Sequence, residues 1–132
     1  MGNTITPKKF VAAGGAYLTA SSGVRYRTNV ANGNNIFDVV TYSFSSIKNP
    51  VAPTTVTFDL TKFDPNFSTV FYFEYAPVSN WALTFAGVPY TGVSVTFNFE
   101  GGSQPALSST YNLFQCWTSD GTVINVRKMI GY

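Results

Sequence analysis

The chain contains no histidine and a single cysteine, so the side chains able to move a proton or attack an electrophile reduce to six carboxylates and Cys116. Without imidazole there is no Ser-His or Cys-His pair and no histidine ligand for zinc. The carboxylates are Asp38, Asp59, Asp64, Glu74, Glu100 and Asp120. A glycoside hydrolase needs two of them facing each other across a cleft. Glu74 and Glu100, in or at the end of aromatic runs, are the pair that could do so. Asp64 and Asp120 sit in turn sequences, and Asp38 and Asp59 suit the polar face or end of a strand. Cys116 lies inside an aromatic run and reads as a small buried apolar residue rather than a reactive thiol. No clustered oxygen ligands of the calcium-loop kind occur. Gly14-Gly15 and Gly101-Gly102 lack the Lys-Ser/Thr that completes a phosphate loop. The expectation is a protein that is not an enzyme and uses no cofactor and no metal.

Binding chemistry is better represented. Trp81, Trp117, Tyr90 and Tyr111 are candidates to stack on sugar faces, because Trp and Tyr combine an apolar ring with a polar tip. Trp81 follows Ser79-Asn80 at a strand start and Tyr90 lies in a Gly/Pro loop, so these two are the expected glycan contacts. Trp117, within a strand, reads as core.

The elements that would position these groups are strands. Val24–Val30, Ile36–Ile47, Thr54–Leu60, Thr69–Tyr75, Trp81–Phe85, Val93–Phe99, Tyr111–Thr118 and Thr122–Ile130 carry β-branched and aromatic residues between turn signals. Val93, Val95, Phe97 and Phe99 alternate with polar residues as a strand with one buried face should. Asp120-Gly121 supplies the positive backbone φ of a tight hairpin. About eight strands at this spacing predict an all-β antiparallel sandwich, with a jelly roll as the first choice. Residues 1–23 have no sustained period and are expected to form an extended N-terminal arm ahead of a sandwich domain over 24–132. Phe10, Val11, Tyr17 and Leu18 would dock that arm on a partner.

Two Trp, eight Tyr and twelve Phe in 132 residues exceed what one small sandwich needs, since each strand offers about three inward positions. Phe71, Tyr72, Phe73 and Tyr75 are nearly contiguous, so both faces of their strand are apolar. Large apolar surfaces mark interfaces; these four are therefore the expected oligomer interface.

Charged residues make up 11% of the chain and leave a net +2. The basic residues fall in small separate pairs, Lys8-Lys9, Arg25/Arg27 and Arg127-Lys128, so no nucleic-acid face is expected. No run of about 18 apolar residues exists to span a membrane. Residues 10–20 are too short and too Gly-rich for an export signal.

The segments Thr84-Phe85-Ala86-Gly87, then Pro105-Ala106-Leu107-Ser108-Ser109-Thr110-Tyr111-Asn112, then Phe114-Gln115-Cys116-Trp117-Thr118-Ser119-Asp120-Gly121-Thr122 resemble small β-sandwich domains of tailed-bacteriophage virion proteins. The shared features are a P-x-L-S-x-x-x-N run (Pro105, Leu107, Ser108, Asn112) and a D-G hairpin (Asp120, Gly121) before the last strand. The resemblance covers about residues 54–132. It implies a jelly-roll trimer found in fibres, receptor-binding tips or head decorations. With no heptads, collagen repeat or shaft, the expectation is a capsid decoration (cement) protein or short spike, made in the host cytoplasm and carried on the virion. Its partners would be copies of itself and a capsid protein. The alternative is a carbohydrate-binding tip module of a tail fibre, meeting a host-surface glycan.

Overall fold

The computed structural model describes residues 26–29 and 33–131, and the side chains from residue 35 onward. Nine strands form among the described residues: β1 (Tyr26–Asn29), β2 (Gly33–Asp38), β3 (Phe44–Lys48), β4 (Thr54–Asp59), β5 (Thr69–Ala76), β6 (Leu83–Val88), β7 (Thr96–Phe99), β8 (Asn112–Thr118) and β9 (Val123–Gly131). They make a six-stranded sheet, β1-β3-β5-β8-β9-β7, and a three-stranded sheet, β2-β4-β6. The all-β, two-sheet expectation therefore holds.

The expected direction of the strands does not. Five ladders are parallel (β1 with β3, β3 with β5, β2 with β4, β4 with β6, β7 with β9), and only β5–β8 and β8–β9 are antiparallel. Jelly rolls are built of antiparallel strands; here the first six strands instead wind as a flat coil, alternating between the sheets. The connectors are residues 39–43, 49–53, 60–68 and 77–82, and none is the two-residue turn most common in hairpins. Three of these connectors contain proline (Pro50 and Pro53, Pro65, Pro77) and one contains Asn49 at φ 55. Each carries the chain across to the facing sheet. A whole strand then lies inside every parallel crossover, which needs about a dozen residues or more.

One expected strand, 36–47, is broken in two by Asp38. Its carboxylate accepts hydrogen bonds from the Val40 and Thr41 N–H groups (3.1 and 3.0 Å), and its carbonyl accepts from Tyr42 N–H (3.2 Å). This is the turn a short acceptor side chain can impose on its own backbone. Burial alone would raise the Asp38 pKa. Hydrogen bonds from Thr41, Lys62 and Val40 outweigh it and hold the carboxyl below its ordinary value.

The core lies between the sheets and is aromatic at its centre. Phe58 of β4 meets Phe71 at 4.9 Å, Phe73 at 5.7 Å, Phe85 at 6.0 Å and Phe97 at 6.2 Å between ring centroids. Phe85 of β6 in turn meets Phe114 at 5.5 Å and Phe99 at 5.4 Å. Most of these contacts are edge-on or tilted, the arrangements the ring quadrupole favours. Ile47, Val56, Cys116, Ile124 and Val126 fill the spaces around the rings.

The β8–β9 hairpin forms where Asp120-Gly121 predicts it. Gly121 stands at φ 74, and a Cβ there would lie 2.5 Å from the Tyr90 ring and 2.6 Å from Phe63. Asp120 Oδ1 accepts from the N–H groups of Thr122 and Val123 (2.9 and 3.0 Å), and these bonds lower the Asp120 pKa, that from Val123 most.

Two outcomes test this reading. Phe58→Ala should cost about 3–5 kcal/mol in urea unfolding, as large aromatic deletions in a core do, whereas exposed Phe67→Ala should stay within about 0.5 kcal/mol. The stability that Asp120 contributes should be complete above its unfolded pKa and should fade as pH falls through its lower folded value. Asp120→Asn should flatten the acid side of a plot of unfolding midpoint against pH.

Candidate functional site

Because alternate residues of a strand point to opposite faces, the core assignment decides what the outer face of the large sheet presents. Phe71, Phe73 and Tyr75 point inward and are fully buried in the single chain. Three of the four residues expected at an oligomer interface are therefore core. The two-faced apolar character of β5 misled because half of it fills the molecule's own interior. Tyr72 alone of that set lies on the outer face, together with Val70, which is 52% exposed.

The registers arrange the outer face in rows running across the strands. One row aligns Val70 of β5, Trp117 of β8, Asn125 of β9 and Asn98 of β7. The next aligns Phe44 of β3, Tyr72 of β5, Gln115 of β8 and Arg127 of β9. A third brings Glu74, Leu113 and Ile130 into line. The face thus divides into two halves with different chemistry.

On the β3–β5–β8 half, Ser43, Phe44, Val70, Tyr72 and Leu113 line a shallow recess of about 480 Å³. Gln115 Nε2 donates to Tyr72 Oη there at 3.1 Å. On the β8–β9–β7 half, Asn98, Glu100, Trp117, Asn125 and Val126 line a second recess of about 200 Å³. Asn98 Nδ2 donates to Asn125 Oδ1 (2.9 Å), and Asn125 Nδ2 donates to the Trp117 carbonyl (3.3 Å). Arg127 Nε stands 4.0 Å from Glu100 Oε1, with both side chains largely exposed.

Glu74 and Glu100, the expected hydrolytic pair, are not brought together. Glu74 Oε1 accepts from the Ser46 hydroxyl at 2.7 Å and lies 3.7 Å from Lys48 Nζ. Glu100 follows β7, three strands away from β5, or roughly 14 Å at ordinary strand spacing. The carboxyls of glycosidases stand about 5–9.5 Å apart.

The two expected glycan contacts are occupied within the fold. Tyr90 packs on Phe63 with centroids 5.1 Å apart and lies over the hairpin tip at Gly121. Trp81 is half-buried, its indole nitrogen is buried without a hydrogen-bond partner, and its carbonyl accepts from Tyr75 Oη at 3.2 Å. Trp117, read from sequence as core, is the tryptophan that lies beside open amides. The signal for this was available: Phe114 and Cys116 share one parity of β8, while Trp117 shares the other with Gln115. The arm-docking residues Phe10, Val11, Tyr17 and Leu18 lie outside the described residues.

Cys116 is fully buried, and burial pushes its thiol far above the ordinary value. It should resist a thiol-reactive disulfide reagent in the native protein and react at once in denaturant. Rapid native labelling would contradict this placement. Compared with known proteins, the chain matches no family model, no curated protein and no solved structure.

Proposed function

We propose that this protein is a non-enzymatic structural protein that works by surface packing: a virion component of the capsid-decoration or short-spike kind. It associates with copies of itself through the outer face of its six-stranded sheet. The observation that carries this reading is the apolar half of that face. Its inner face is already filled by Phe71, Phe73, Tyr75 and Phe114, yet Phe44, Val70, Tyr72 and Leu113 remain gathered on the outside, with exposed Ile130 in line with Leu113. A contiguous apolar surface of this kind on a folded chain is the usual signature of an interface.

The virion setting rests on the likeness of residues 54–132 to bacteriophage sandwich domains, and the trimer is what that likeness implies. Two of its motifs have clear mechanical roles in the fold. Asn112 is buried; its Nδ2 donates to the carbonyls of Tyr75 (3.1 Å) and Ser108 (2.9 Å), and its Oδ1 accepts from Ser108 N–H (2.7 Å). The P-x-L-S-x-x-x-N run is thus a clip fastening a loop to the sheet end. The D-G hairpin is packed against Phe63 and Tyr90. Both are devices for rigidity, as a building element requires. In this reading the contact with the capsid is made by Phe10, Val11, Tyr17 and Leu18, which lie outside the described residues.

Light scattering of the purified chain should give a mass that is a small multiple of 14.4 kDa. Val70→Asp, a change at an exposed position, should reduce it to a single chain with unchanged circular dichroism. An unmodified protein that stays monomeric over its whole soluble concentration range would remove the basis of this function.

A further inference from the structure

The polar half of the same face has a composition that self-association does not explain. We propose that Trp117, Asn125 and Asn98, with Glu100 and Arg127 at the rim, form a binding subsite for a neutral hexopyranose within a glycan.

The argument begins with what a pyranose presents. One side of the ring is a patch of C–H groups and its edge is a belt of hydroxyls, each both donor and acceptor. Such a ligand needs an aromatic surface beside amides or charged groups that can donate and accept in pairs. Here the register supplies both. Trp117 is opposite Asn125, and Asn125 is opposite Asn98, so ring and amides lie in one row across three adjacent strands. At about 4.8 Å per strand, that row extends roughly 10 Å, the reach of one to two sugar rings.

The amides are held in place before any ligand arrives. Asn125 uses both ends of its side chain, donating to the Trp117 carbonyl and accepting from Asn98. These bonds orient the Asn98 amide, which is exposed and turns its oxygen away from that contact as an acceptor. Building the site on strands rather than loops keeps its parts at fixed separation and limits the ordering cost of binding.

The rim decides the charge of the ligand. Glu100 and Arg127 approach to 4.0 Å and offset each other. Together they offer one acceptor and one donor to neighbouring hydroxyls, with no net field favouring an acidic sugar. The recess of about 200 Å³ is small and open on one side, which fits a single ring of a longer chain more closely than an enclosed drug-sized ligand, for which pockets run about 300–1,000 Å³.

The test uses the full chain on an array of neutral hexose and N-acetylhexosamine glycans. The strongest binder is then titrated while the two indole N–H signals of Trp81 and Trp117 are followed by NMR. The Trp117 signal should shift and the Trp81 signal should not. Trp117→Ala should weaken binding about tenfold or more, and Asn98→Ala, at an exposed position that perturbs no core, about fivefold. Ile130→Asp, at an exposed position in the apolar half two rows from Trp117, should leave glycan binding intact while altering the mass in solution, so failure of one reading is separable from failure of the other. Absence of any array signal would overturn the subsite, as would binding that survives both Trp117→Ala and Asn98→Ala or that shifts Trp81 instead.

Discussion

The inter-sheet stack of phenylalanines fixes the parity of the strands around it. Phe58 on the small sheet meets Phe71 and Phe73 on the large one, and Phe85 beside it meets Phe114. With side chains alternating every residue, placing Phe71 and Phe73 inward forces Val70 and Tyr72 outward. Placing Phe114 inward forces Leu113, Gln115 and Trp117 outward. A one-residue slip would exchange every pair. The outer face is thus the complement of the core packing: what the rings do inside determines what is offered outside.

That coupling explains why architecture was more legible in the sequence than the site. Runs such as Val93–Phe99 and the Asp120-Gly121 turn announce β-structure locally, through period and turn chemistry. Strand direction is not local. The alternation of Thr54–Leu60 is the same whether its neighbour runs parallel or antiparallel, and only connector length and the prolines at 50, 53, 65 and 77 bear on it. The break at Asp38 was hidden because Val39, Val40 and Tyr42 all have the character of strand residues, while the decisive event is one carboxylate accepting two backbone N–H groups. The face itself was obscured by β5 and β8, both apolar on two sides. In β5 this placed core residues Phe71, Phe73 and Tyr75 at an interface, and in β8 it placed outward Trp117 in the core. Where one side of a strand is polar, parity can be read directly; where both are apolar, only the packing partner decides.

The outer face joins two kinds of surface on one sheet. Phe44, Val70, Tyr72 and Leu113 offer carbon, while Trp117, Asn125 and Asn98 offer a ring beside hydrogen-bonding groups. The first suits a permanent contact, where a broad apolar area excludes water. The second suits a reversible one, where a few polar bonds set specificity. Row alignment ties the two together, since Val70 lies beside Trp117 in the same register and Tyr72 bonds Gln115 one row away.

The order of strands in the large sheet has a consequence for how the chain is made. β5 finds its second neighbour in β8, and β7 pairs in the sheet with β9 rather than with any strand before it. As the polypeptide leaves the ribosome, the early coil of strands can be laid down turn upon turn. The fifth and seventh strands nevertheless emerge before β8 and β9, the partners that complete their pairing. Pairings between segments so distant in sequence slow the search for the native state, and until the last ribbon is released, unpaired strand edges are open to wrong partners. Release of β8 and β9 is therefore the step that closes these pairings.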